Sequence, residues 1–170
     1  MFETERLILR KLNDTDLDDI FEMRKDPKVM RFIRGPQTEI ETSARWIEMM
    51  TERWDDEKLG FCGLVEKESG SFVGWCGLWD LKETNEIEVG YAIATGHWGK
   101  GFATEAADRC LKYGFEELAL DRIVAVAFPK NEASQNVMKK IGMEYVQTGI
   151  FYGKRLVQYA ITNVEFHRNG

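Results

Sequence analysis

The chain has 170 residues, with 23 Lys plus Arg against 29 Asp plus Glu, a formal net charge of −6. That length fits one domain able to bury roughly two-thirds of its unfolded surface, and 44% apolar with 12% aromatic residues excludes a disordered chain. No apolar run approaches the ~18 residues that span a bilayer, and the acidic balance argues against nucleic acid, which is bound by clustered Lys and Arg; neither membrane nor nucleic acid is expected as a partner.

The opening residues MFETERLILRK are charged throughout and lack an apolar signal-peptide core, so a cytoplasmic protein is expected. Residues 6–12 alternate polar and apolar as a half-buried strand, and Leu17, Ile20 and Phe21 then fall at helical spacing. Asp14, Asp16 and Asp18 imitate a calcium loop, but Asp19 replaces its Gly and Lys25 its final Glu, so they read as acids favoured at a helix N-terminus. Thr38 with Glu41 has the capping-box pattern and opens a helix through Trp46, Ile47, Met50 and Trp54.

Residues 59–66 and 71–79, separated by KESG, read as a hairpin. Residues 86–94 form a strand with Ile87, Val89, Tyr91 and Ile93 on one face. Ala103, Ala107, Cys110, Leu111, Gly114, Phe115 and Leu118 make the inner stripe of a long helix. Residues 123–128 are apolar without alternation, as in a strand covered on both faces, and complete a strand, helix, strand unit. A helix over 133–141 stops at Gly142, and strands near 144–149 and 156–163 follow. The expected fold is an α/β (α+β) mixed sheet of about six or seven strands with helices on both faces. Cys62, Cys76 and Cys110 have no metal-ligand spacing and read as buried free thiols; no metal is expected.

The segment HWGKGFATEA, residues 97–106, sits between a strand and its following helix. Gly99 and Gly101 permit a tight turn and close approach of a ligand, and the first helical N–H groups are free to bind an anion such as phosphate. The Walker pattern fails because Phe102 follows Gly101, and the dinucleotide pattern fails because Thr104 stands at its third glycine.

Trp98, Gly101 and Ala103 resemble the Q/R-x-x-G-x-G/A acyl-CoA signature of the GNAT superfamily of N-acetyltransferases, with Trp98 in the Gln/Arg place. WGKGFATEA and the block NEASQNVMKKIGM, residues 131–143, resemble the branch of RimJ/RimL-like ribosomal-protein acetylases. The resemblance runs from about residue 4 to 161 and implies that residues 1–170 are a single acyl-CoA N-acyltransferase domain. It implies that the main chain of Trp98, Gly99, Lys100, Gly101, Phe102 and Ala103 holds the pyrophosphate of acetyl-CoA, the co-substrate, with the Thr104 hydroxyl adding to it. Lys100 reads equally as solvated or as meeting phosphate charge. The strands 86–94 and 123–128 would splay to admit the pantetheine arm, and Asn131 is the family position that contacts it.

Acetyl transfer needs a neutral amine, a donor to the developing oxyanion and a proton for the thiolate. A protein α-amine of pKa about 7.7–8.0 is roughly a tenth neutral at pH 7, a Lys amine only about once in 2,500 molecules. Glu88 is the candidate base, its alternative being a salt-bridged strand residue. A main-chain N–H at Tyr91 or Ala92 would meet the oxyanion if Gly90 marks a bulge. Many superfamily members place a Tyr proton donor where Met138 stands; Ser134 is the candidate acid instead, its alternative being a helix-capping hydroxyl, with Tyr145 and Tyr152 also open. Phe32, Arg34, Gly35, Pro36 and residues 150–154 are expected at the cleft mouth. The acceptor is then a peptide N-terminus or a small amine (polyamine, amino acid or aminoglycoside), a non-catalytic acyl-CoA sensor is the alternative, and the aromatic last strands suit a homodimer.

Overall fold

The computed structural model describes residues 2–169. Its single sheet has eight strands: β1 (Phe2–Glu3), β2 (Leu7–Lys11), β3 (Gly60–Glu66), β4 (Phe72–Leu81), β5 (Glu86–Ile93), β6 (Arg122–Ala127), β7 (Glu144–Phe151) and β8 (Lys154–Thr162). They lie in the order β1-β2-β3-β4-β5-β6-β8-β7. Only β5 and β6 run parallel; every other neighbouring pair is antiparallel. The mixed sheet is that expected, with the two-residue β1 as the added strand, too short to leave an alternating pattern.

Helices cover both faces. On one, α4 (Phe102–Glu116) and α5 (Glu132–Lys140) pack Ala106, Ala107, Leu111 and Met138 against Leu78, Val89, Ile123 and Ala125. On the other, α1 (Leu17–Lys25), the one-turn α2 (Pro27–Met30) and α3 (Ile40–Asp56) bury Ile20, Met30, Ile47 and Met50 against Trp75 and Ala92. The chain ends in α6 (Asn163–Asn169). No helix of the described residues is long and apolar enough to cross a membrane. All three cysteines are free and buried, with Cys76 Sγ 3.5 Å from Cys110 Sγ.

The acids near residue 14 lie in a short 3-10 turn at which Asn13 and Asp16 form a capping box, and Arg10 grips the Asp16 carboxylate with two hydrogen bonds of 2.8 and 2.6 Å. The expected capping box at Thr38 and Glu41 does not form: α3 begins one residue later, its N-cap is Glu39, and no side chain caps it. Glu39, extended as an N-cap residue is, stands at the cap position that the pattern assigned to Thr38.

β3 and β4 cross closely at Gly77, where a Cβ would stand 2.0 Å from the Gly60 carbonyl oxygen. Backbone cannot yield as a side chain does, so Gly77→Ala is expected to cost about 3 kcal/mol in urea unfolding. Gly96→Ala, which enters open space, is expected to stay within about 0.5 kcal/mol.

Candidate active site

β5 and β6 are paired at Ile87↔Ile123 and Glu88↔Val124 and at no later residue. β5 continues against β4 to Ile93, and β6 continues against β8 to Ala127. The two halves of the sheet therefore part after Glu88. From Val89 onward, alternate N–H and C=O groups of β5 face the gap without a strand partner. The expected bulge at Gly90 is absent: the β4/β5 register runs without a shift from Leu81↔Glu86 to Gly74↔Ile93. Unpaired main chain at Tyr91 arises from the parting of β6, whereas Ala92, expected as the alternative donor, has its main chain turned to Trp75 of β4; Gly90 has another cause. A Cβ there would stand 2.9 Å from Cε1 of Phe61, whose ring lies over the strand.

At the end of β5 the chain turns into α4. The Trp98 indole N–H donates to the Ile93 carbonyl at 2.7 Å, tying the loop to the strand, while half of its surface stays exposed. Gly99 and Gly101 both have left-handed backbone, φ +78° and +85°, a conformation that costs a residue with a Cβ roughly 1–2 kcal/mol. Gly101 is the N-cap of α4 and offers no side-chain cap. The Trp98 main-chain N–H, expected among the phosphate donors, is instead spent on the Thr95 carbonyl at 3.3 Å, closing a 3-10 turn, whereas among the described residues no acceptor meets the main-chain N–H groups of residues 99–104. Gly101 and Thr104 border a groove of ≈ 410 Å³ whose charged lining is mixed, Arg6 and Lys140 with Glu105 and Asp108. Free main-chain donors at a helix N-terminus fit a diphosphate.

Arg6 is a residue the sequence did not single out. Its guanidinium donates to the Lys100 carbonyl (2.9 Å), pairs with Glu105 (2.6 Å) and lies over the buried Phe102 ring at 4.9 Å. It clamps the loop from the residue before β2, 94 positions from Lys100, and nothing local to HWGKGFATEA announces it. The Lys100 ammonium is exposed, 4.0 Å from Glu66. Ala103 is partly buried against the core.

Glu88 is buried on the sheet face opposite α4 and accepts a hydrogen bond from the Tyr152 hydroxyl. Burial pushes its carboxyl up to about 7, with Glu83 adding repulsion and Tyr152 partly offsetting both. Tyr152 occupies the left-handed turn between β7 and β8 (φ 53°), and its phenol is held well above the usual range by burial and by Glu88. It therefore remains a donor at neutral pH. On the other face, the Tyr91 hydroxyl donates to the Ser134 carbonyl at 3.0 Å and lies 3.0 Å from Ser134 Oγ. With the phenol proton on that carbonyl, the Ser134 hydroxyl donates to Tyr91. Burial also holds Tyr91 protonated. Ser134 is not a helix cap: Asn131 is the N-cap of α5, its Oδ1 accepting from Ser134 N at 3.2 Å. The Tyr91 side chain is the second group that sequence reasoning missed, having noted only its main chain.

Met138 is buried in the core. Tyr145 lies on edge strand β7 with its hydroxyl on Thr148 and its ring edge-on to Tyr159, outside the gap. At the mouth, Phe32 packs on Phe128 at 5.8 Å, and Lys154 lies over Phe128 and donates to the Ile33 carbonyl at 3.3 Å. The segment after α2, the end of β6 and the β7–β8 turn thus meet on the Glu88 face.

Residues 6–144 match the model of the acetyltransferase (GNAT) domain. The chain belongs to the GNAT acetyltransferase family, and it is an acyltransferase whose family moves acetyl from acetyl-CoA to an amine. It is 33% identical over 159 residues to the uncharacterized protein YkkB of Bacillus subtilis (strain 168), covering 92% of each. It is 29% identical to the solved GNAT-family acetyltransferase of Bacillus anthracis, with a TM-score of 0.82 over 96% of this chain and 98% of that one. Spermidine N-acetyltransferase from Vibrio cholerae, solved with CoA and spermine, shares the fold at 19% identity, with a TM-score of 0.80 over 96% and 99% of the two chains.

Gly101→Asp would place a carboxylate in the cradle at φ +85°. Calorimetric titration with CoA is expected to show affinity reduced about 100-fold or more, with an unchanged circular dichroism spectrum.

Proposed function

We propose that this chain is an N-acetyltransferase of the RimJ/RimL-like branch whose acceptor is a primary α-amine. The observation that carries the reading is the placing of one ionisable carboxylate and one hydroxyl pair on opposite faces of the same gap: Glu88 with Tyr152 on one, Ser134 with Tyr91 on the other. Acetyl-CoA supplies the acetyl group as a thioester. Main-chain amides of residues 99–104 hold its diphosphate with the Thr104 hydroxyl beside them, Asn131 contacts its arm, and the free main chain of β5 pairs with the arm's amides as an added strand. The donor to the developing oxyanion is the gap-facing β5 amide of Tyr91.

The nitrogen–carbon bond forms as the carbon–sulfur bond breaks. Glu88 takes the proton that the amine loses, directly or through one water, and the Ser134 hydroxyl, turning from the Tyr91 oxygen to the sulfur, supplies the proton that the thiolate needs and regains one from solvent as Glu88 returns its own. A base near pKa 7 is well matched to an amine of pKa about 7.7–8.0. An unshifted carboxylate would be a weaker base, and a Lys amine would demand a stronger one. This match supports the α-amine over a side-chain amine.

Glu88 acts only when ionised, and its raised pKa keeps it protonated below about 7. In thiol-release assays, kcat/KM is therefore expected to climb through pH 7 and to retain a second limb from the acceptor's own amine. Glu88→Gln should lower kcat by about 10²- to 10⁴-fold and erase the lower limb only. A low-pH limb that survives in Glu88→Gln contradicts the assignment. Ser134→Ala with Tyr91→Phe should lower kcat with little change in the KM for acetyl-CoA; unaltered turnover in that double variant rules out the hydroxyl pair as the acid.

A further inference from the structure

Arg24, in the last turn of α1, carries a half-buried guanidinium with no partner. Among the described residues it makes no ion pair and no side-chain hydrogen bond, and its buried Nε is unsatisfied. Arg53 Nε and Arg109 Nη1 are unsatisfied too, but the other partly buried cations of this chain have a counter-charge: Arg10 has Asp16, Arg53 has Asp80 and Glu57, Arg109 has Glu117. An unmatched buried charge is costly, and a native protein keeps one where something else supplies the counter-charge. Burial depresses the Arg24 guanidinium, and the nearby Arg34 depresses it further. Arg34 likewise makes no ion pair among the described residues.

The position of this pair connects it to the gap. Arg24 lies over Trp46 at 4.9 Å, Trp46 stacks on Phe61 at 6.1 Å, and Phe61 covers Gly90, two residues from Glu88 on the same face of β5. Arg34 also draws down the Tyr152 phenol, whose hydroxyl rests on Glu88. The Glu88 face thus has an acidic end, Glu83 and Glu88, and a basic end, Arg24 and Arg34, joined by an aromatic floor. In a chain of net charge −6, unpaired arginines on this face are not a bulk property.

We propose that the acetyl acceptor is a carboxylate-bearing amine, its carboxylate seated on Arg24 and Arg34 while its amine reaches Glu88. The proposal rests on the transferase reading above and adds the charge of the substrate. A polyamine would set its second ammonium against two guanidinium groups. The carboxylate has two sources, the C-terminus of a free amino acid or dipeptide, or an acidic side chain near a protein N-terminus.

The test uses the full chain, acetyl-CoA and acceptors matched except for that charge: Gly-Gly against Gly-glycinamide for the first source, and Ser-Asp-Phe-amide against Ser-Asn-Phe-amide for the second, with spermidine alongside. The carboxylate member of at least one pair should have a kcat/KM about 10- to 100-fold higher, the range of a hydrogen-bonded charge pair, and the pair that discriminates names the source. Arg24→Met keeps the packing over Trp46 and should bring that ratio to about 1 while leaving CoA affinity unchanged; a purely structural Arg24 would not move the ratio. Equal use of both members in both pairs, a preference for spermidine, or an unchanged ratio in Arg24→Met overturns the proposal. If CoA binds and nothing turns over, the transferase reading fails separately. Binding of the same peptides to the CoA-saturated protein, wild type against Arg24→Met, then decides the charge preference by the same two criteria.

Discussion

Two residue pairs, Ile87↔Ile123 and Glu88↔Val124, are all that join β5 to β6, and the remainder of the site depends on their being so few. Were the pairing to continue to Ile93, the main chain of β5 would be satisfied by β6 and no ligand could enter the sheet. Parting instead leaves backbone donors and acceptors exposed, a state tolerated only where water or a ligand's amides complete them. The separation is imposed by the neighbours. β4 holds β5 through an unbroken register, and β8 holds β6 along its whole length, so each half of the sheet twists as a unit.

The same opening sorts the chemistry by face. Alternation along β5 sends Glu88 to the side closed by the aromatic strip and Tyr91 to the side closed by α5. A buried carboxylate near pKa 7 and a Tyr91–Ser134 hydroxyl pair, its phenol held neutral by burial, are then separated by a backbone, the arrangement that the proposed base and acid require. At the gap's end, the two left-handed glycines leave free amides beside the groove while Arg6, just before β2, braces the loop through Glu105 of α4. The proposed binding donors, acid and base thus belong to different strands and helices that meet only in the folded chain.

Periodicity carried the core strands and helices because each contrast it reads is local: Ile87, Val89, Tyr91 and Ile93 alternate, and Ala103 to Phe115 repeat at helical spacing. The glycine turn was legible for the same reason, since left-handed backbone selects Gly at 99 and 101. What escaped was the long-range pairing. Arg6 on Glu105, Tyr152 on Glu88 and Tyr91 on Ser134 join residues 99, 64 and 43 positions apart, and no window of sequence contains both partners. The bulge assigned to Gly90 was a local explanation for a glycine that answers to the Phe61 ring from β3. The capping box at Thr38 failed on a one-residue offset that only backbone geometry determines.

Amide hydrogen exchange, read residue by residue with and without CoA, tests the central claim most directly. The account requires slowed exchange in two stretches, the turn at residues 99–104 and the gap-facing amides of residues 89–93, because both sets of donors are free before binding. Protection of neither stretch when CoA is bound, or protection confined to a surface away from the opening between β5 and β6, would contradict it.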